Sequence, residues 1–189
     1  MAKNSTNLST KAQSTALVHI VLTALLAALV FVVTYLLSIP VPGTQGGYVN
    51  LGDAVIFLTA LLVGNPWALL AAGLGSGLAD LLAGATIYIL PTVIIKGLMG
   101  FVVAAFAKND NKWLFRLGTV IGGIIMIGGY FVYELYFIKS GEITGLPYAL
   151  NALPGNFGQA GVCIAVSWIF HKPILSLKTR LLPQSKPSD

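Results

Sequence analysis

Charge is what this sequence has least of. Only 9% of its 189 residues are Asp, Glu, Lys or Arg, against about 25% in soluble domains. So few ionic groups cannot cover a water-facing surface, which excludes a soluble globular domain. The apolar share is 56% and the mean hydropathy is +0.85, the composition of an integral membrane protein. Cysteine is nearly absent too. Cys163 stands alone, so neither an intrachain disulfide nor a cysteine metal cluster can form. The two histidines, His19 and His171, are too few for a zinc site. No Walker A sequence occurs, so the chain does not itself hydrolyse ATP by that route. "GLGSGL" (residues 73–78) lacks the third glycine of a dinucleotide fingerprint and lies in an apolar run. Gly73 and Gly77 read instead as a small-xxx-small pair for close helix packing. No serine motif supports an intramembrane hydrolase. No cofactor is implied.

What is present is a series of apolar runs. A spanning helix needs roughly 20 such residues. Turn residues divide the chain into six helices, at about Ala16–Ile39, Asn50–Val63, Pro66–Leu82, Tyr88–Phe106, Leu114–Ile138 and Pro154–Phe170. "PVPGTQGGY" reads as a long loop after the first, "KNDNK" as a tight turn before the fifth, and "LPYALNALPG" as loop before the sixth. The second helix barely spans. The expected fold is an all-α membrane protein of six transmembrane helices in one domain, 1–189. A polar segment, 1–14, precedes the first helix, and a cytoplasmic tail, 173–189, follows the last. The first apolar run is longer than a signal-peptide core and is read as a retained helix.

The net charge of +5 then reports topology rather than nucleic acid. Lys3, Lys11, Lys108, Lys112, Arg116, Lys172, Lys178, Arg180 and Lys186 fall on one side of a six-helix arrangement. Only Lys139 falls on the other, and Lys96 lies inside a helix. The positive-inside rule puts both termini in the cytoplasm.

Four ionisable residues fall within the predicted helices: Asp53, Asp80, Lys96 and Glu134. Each costs ~3 kcal/mol at a bilayer centre on insertion scales. A rise of ~1.5 Å per residue puts all four in the outer half of the membrane. Tyr130 shares a helix face with Glu134, Thr92 with Lys96, and Asn156 with Gln159, by i, i+3 or i, i+4 spacing. Together they predict a polar cavity near the external face, with the "PVPGTQGGYVN" loop and the Tyr88 and Tyr148 regions as its lid. Each residue also has a structural reading. Asp53 suits a helix N-terminus. Asp80 can pair with Lys96, and Glu134 can sit near Lys139 in interfacial water. Asn156 and Gln159 can be interhelical glue, and the tyrosines can be interface-belt residues.

"YVNLGDAVIFLTALLVGNPWALLAAGLGSGLADLL", followed by "IYILPTVIIKGLMGFV", resembles the substrate-binding S component of an energy-coupling factor (ECF) vitamin transporter. The resemblance covers essentially the whole chain. It is nearest to the hydroxymethylpyrimidine or pyridoxine branch, and somewhat similar to riboflavin carriers. It implies a multi-pass subunit of the plasma membrane, not an enzyme. Its partners would be a vitamin-like small molecule, a transmembrane coupling subunit and two ABC ATPase subunits. The family's Ala-xxx-Ala docking face matches Ala24 and Ala28 in "ALLAA"; ordinary packing within the chain is the alternative. The implied vitamin site agrees with the residue-level cavity: Asp53, Asp80, Tyr88, Lys96, Tyr130, Glu134, Asn156 and Gln159. Lys96→Ala or Asn156→Ala is expected to weaken binding with the fold intact. A stand-alone secondary carrier is the competing class.

Overall fold

The computed structural model describes residues 2–138 and 143–182, with the backbone alone for residues 2–15. Six α-helices form a bundle: α1 (Ala2–Leu36), α2 (Gly52–Val63), α3 (Trp67–Leu82), α4 (Ile89–Phe106), α5 (Lys112–Phe137) and α6 (Leu146–Leu181). A short antiparallel hairpin, β1 (Ser38–Pro40) and β2 (Tyr48–Asn50), joins α1 to α2, with Ile39 opposite Val49. Lys139 and Lys186 lie outside the described residues.

Helix α2 is the hub. It packs against α1, α3, α4 and α6, and ten of its 12 residues are buried. A helix apolar all round is one that is surrounded by protein, so α2 need not span. At a rise of ~1.5 Å per residue it is about 18 Å long. Four helices have the length and apolar character to cross a membrane: α1 over Ala16–Leu36, α4 with its preceding turn over Thr86–Phe106, α5, and α6. The two shorter apolar helices, α2 and α3, are 12 and 16 residues long.

Several boundaries differ from the sequence expectation. The "PVPGTQGGYVN" segment is a hairpin and its turn rather than plain loop, so the chain is not purely helical. Glycine at 43 and 46 supplies φ of +76° and +78° there, values that favour glycine. Helix α1 begins at Ala2, within the polar segment expected to precede the first helix. Helix α6 begins at Leu146 and runs to Leu181, across Pro154 and Pro173. "LPYALNALPG" is therefore helix, and the tail starts later than position 173. Tertiary contact overrides the proline signal. Tyr148 and Ala149 are fully buried, the Tyr148 hydroxyl accepts from the Gln45 backbone N–H at 2.6 Å, and the Asn151 amide donates to the Pro42 carbonyl at 2.8 Å. "KNDNK" is the turn expected: Asp110 sits at φ +54°, and the Asn111 side chain caps α5 by accepting from the Trp113 and Leu114 N–H groups.

The apolar core lies toward one end, built from Phe57, Leu61, Met99, Val103, Phe115 and Met126. The polar residues collect at the other end. Gly73 and Gly77 both meet α4 at Val93: a Cβ on Gly73 would stand 2.9 Å from the Val93 carbonyl oxygen, and one on Gly77 2.5 Å from its methyl Cγ2. Gly73→Leu should therefore push α3 off α4 and destabilise the chain by about 1–3 kcal/mol, as overpacking does. A detergent melting curve matching that of the parent chain would contradict this.

Candidate functional site

A cavity, partly open to solvent, lies beneath the hairpin between α3, α4, α5 and α6. Of the eight residues expected there, Asp80, Tyr88, Lys96, Tyr130, Glu134, Asn156 and Gln159 line it. Asp53 does not; it sits behind the wall, in the first turn of α2.

The wall is braced by one buried network. Lys96 Nζ, on α4, lies 2.5 Å from Asp53 Oδ1, and both side chains are almost fully buried, at 3% and 1% exposure. Lys96 therefore pairs with Asp53, not with Asp80. The other Asp53 oxygen accepts from Gln159 Nε2 at 2.6 Å, and Gln159 Oε1 accepts from the Asn50 N–H at 2.7 Å. Asn50 Oδ1 in turn accepts from the Gly52 N–H, fixing the start of α2. The Cys163 thiol donates to the Asn50 carbonyl at 3.6 Å. Strand β2 and helices α2, α4 and α6 are thus tied together by charge and amide groups. The ammonium of an otherwise apolar helix thus has its counter-ion one helix away. Each end of the Gln159 amide makes one bond within the wall.

Asp80, on α3, accepts from the Tyr48 hydroxyl at 2.5 Å. Burial first, and then the Asp80 carboxylate, pushes the Tyr48 phenol up, so it stays protonated and donates. Glu134, on α5, is buried and accepts from the Tyr88 hydroxyl at 3.2 Å. The Tyr88 and Tyr148 hydroxyls meet at 2.9 Å. The Tyr130 hydroxyl bonds Thr92 Oγ1 at 2.8 Å, and its ring lies 5.3 Å from Lys96 Nζ, within cation–π range. The rings of Tyr88 and Tyr130 are 6.2 Å apart and tilted by 56°.

Five lining residues carry buried polar atoms with no hydrogen-bond partner among the described residues: Thr34 Oγ1, Ser76 Oγ, Asp80 Oδ2, Glu134 Oε2 and Asn156 Nδ2. Buried polar groups are normally paired, and each unpaired one costs about 1–3 kcal/mol. Such a cluster leaves hydrogen-bonding capacity directed at one cavity. Thr34, Ser76 and Tyr48 escaped the sequence reading. Two spacing signals pointed at them: Ser76 precedes Asp80 by one helical turn, and Tyr48 and Asn50 alternate onto one face of β2.

Among the described residues no group of three or more His, Cys, Asp or Glu is placed to hold a metal ion. On α1, Ala24 and Ala28 are exposed, on a face shared with Leu17, Val21, Leu25 and Leu36.

A family profile described as "ECF-type riboflavin transporter, S component" matches residues 14–175. The chain belongs to this family. It is accordingly a membrane-embedded transporter component and not an enzyme. This S component is 44% identical over 110 residues to an uncharacterized protein of Pyrococcus woesei, covering 57% of this chain and 73% of that one. It is 32% identical over 111 residues to the thiamine precursor transporter HmpT of Lactococcus lactis. That second match covers 59% of this chain and 63% of the relative, just under two thirds of its length.

Proposed function

We propose that this S component captures a hydroxymethylpyrimidine-type thiamine precursor at the external face and passes it inward with an ATPase-driven coupling module. The observation that carries the reading is the set of unpaired polar atoms around the cavity, two of them carboxylate oxygens, on Asp80 and Glu134. An aminopyrimidine offers a matching pattern. Its exocyclic amine donates to a carboxylate, its ring nitrogen accepts from the Asn156 amide, and its hydroxymethyl group bonds Thr34 or Ser76. Tyr88 and Tyr130, both lining the cavity, supply ring surface. The likeness to a thiamine precursor transporter supports the same ligand. Pyridoxine, with three hydroxyl donors and a ring nitrogen, is the nearest competitor for the same atoms.

Riboflavin is the second reading, favoured by the description of the family profile. Its ring edge presents mainly acceptors, which leave the two unpaired carboxylate oxygens unmet. Calorimetry of the purified chain with hydroxymethylpyrimidine, pyridoxine and riboflavin in parallel decides between them. Saturable binding of the pyrimidine at least 100-fold tighter than of riboflavin is the expected result. Heat from riboflavin alone would replace the proposed ligand.

In this reading the cavity end faces outward and both termini face the cytoplasm, consistent with Lys108, Lys112, Arg116, Lys172, Lys178 and Arg180 at the opposite end of the bundle. The exposed Ala24 and Ala28 allow a partner helix to approach α1 closely, as docking on a coupling subunit requires. Pull-down of the tagged chain from its native membrane should bring ATPase subunits with it. A stand-alone carrier would come alone.

A further inference from the structure

The opposite end of the bundle carries a second arrangement that vitamin capture does not use. Arg116, in the second turn of α5, lies between two indoles. Its guanidinium carbon is 4.9 Å from the Trp113 ring and 5.0 Å from the Trp168 ring of α6. Trp168 is itself fixed, because its Nε1–H donates to Thr119 Oγ1 at 2.9 Å. The Thr119 hydroxyl donates to the Arg116 carbonyl at 2.8 Å. Lys112 lies 5.4 Å from the other occupant of the cluster, the Trp113 ring, and Trp113 is largely exposed. The guanidinium makes no hydrogen bond or ion pair with any described residue. The described carboxylate at this end, Asp110, is held by Lys178 at 2.7 Å and leaves the cluster uncompensated.

Depth identifies the surroundings. Arg116 stands four residues into α5, about 6 Å from its start, and about 27 Å from Glu134 along the helix. A hydrocarbon core is about 30 Å thick, so a helix with Glu134 near one boundary has Arg116 near the other, at headgroup level. Tryptophan is enriched at that level. A guanidinium held by aromatic faces, with its N–H fork free, matches the oxygens of a phosphodiester in a bidentate way.

We propose that Trp113, Arg116 and Trp168, with Lys112 beside them, form a binding site for the phosphate of an anionic phospholipid headgroup. The site selects by charge as well as by phosphate geometry. A zwitterionic headgroup carries its own cation to the cluster and is disfavoured, whereas phosphatidylglycerol brings net negative charge and hydroxyls.

Native mass spectrometry of the detergent-purified full chain tests this, with equal amounts of phosphatidylglycerol and phosphatidylcholine of the same chain length. The chain should retain phosphatidylglycerol at least tenfold over phosphatidylcholine. Arg116→Gln should cut that preference at least fivefold. Arg116→Lys, which keeps the charge and loses the fork, should fall between. Arg180→Gln removes one charge from an exposed position on the last turn of α6 and should change the preference less than twofold. Equal losses in Arg116→Gln and Arg180→Gln would mean diffuse attraction to a basic surface and overturn the site. Displacement of the lipid by millimolar inorganic phosphate would reassign it to the free ion. A Lys-substituted chain that binds like the parent would remove the guanidinium from the argument. Unaltered vitamin binding in Arg116→Gln certifies its fold.

Discussion

Lys96→Met should lower the stability of the folded chain by about 3–5 kcal/mol, the usual consequence of removing one partner of a buried ion pair. The reason lies with the group left behind. Asp53 is 1% exposed and would keep a single side-chain partner, Gln159, with no cation to offset its charge. Burying an ionised carboxylate without compensation is among the most expensive arrangements available to a protein. The unpaired Asp53 would also loosen Gln159, and through it the Asn50 N–H that anchors β2. Adding Asp53→Asn to Lys96→Met removes the stranded charge and should recover most of the lost stability, since a neutral amide still accepts from Gln159. Ligand affinity should not recover, because Lys96 also lines the cavity. Melting curves in detergent for the parent, single and double variants read the first effect, and calorimetry reads the second. A single variant that melts with the parent would dismiss the ion pair as a structural brace. From the sequence alone Lys96→Ala loses binding with the fold intact; the pairing with Asp53 adds a large stability cost.

The contrast between Lys96 and its neighbours shows what a sequence can reveal here. Asp80, Lys96 and Glu134 were legible because an ionisable group in an apolar helix is expensive and rarely idle, and helical rise gives its depth. Partner choice was not legible. Asp53 and Asp80 fall at similar depth on adjacent helices, and only packing decides that Lys96 meets Asp53 while Asp80 meets Tyr48. Thr34 was invisible for the opposite reason: hydroxyls in membrane helices are common and carry no penalty that singles them out, and Ser76 was marked only by its one-turn spacing from Asp80. The helix count followed from the apolar runs. The start of α6 did not, since Pro154 and its flanking residues read as loop until Tyr148 is seen buried against the hairpin turn. The shortness of α2 hinted at its central position, because a helix enclosed by others has no hydrocarbon thickness to match.

Glu134→Gln should weaken hydroxymethylpyrimidine binding by about 10–100-fold, the range expected when a charge-assisted hydrogen bond worth about 1.5–3 kcal/mol is lost. Glu134 has one oxygen on the Tyr88 hydroxyl at 3.2 Å and the other buried without a partner among the described residues. A ligand amine that donates to this second oxygen would meet an amide N–H₂ in the variant, donor against donor, whenever the Gln oxygen stays with Tyr88. Turning the amide over relieves the ligand contact only if the Tyr88 hydroxyl reverses, accepting from the N–H₂ and donating its proton to Tyr148. In either rotamer the ligand amine meets a neutral acceptor at best, without the charge that strengthened the contact. Stability should move the other way or not at all, because a neutral amide is cheaper to bury than a carboxylate. Weaker binding with an unchanged or raised melting temperature is a pattern that general damage to the fold does not produce. Asn156→Ala should act at the same site with a smaller, roughly tenfold loss, as one neutral hydrogen bond of about 0.5–1.5 kcal/mol disappears. If Glu134→Gln binds the pyrimidine as tightly as the parent chain, the acidic wall of the cavity faces something other than a ligand amine, and the proposed orientation of the precursor is wrong.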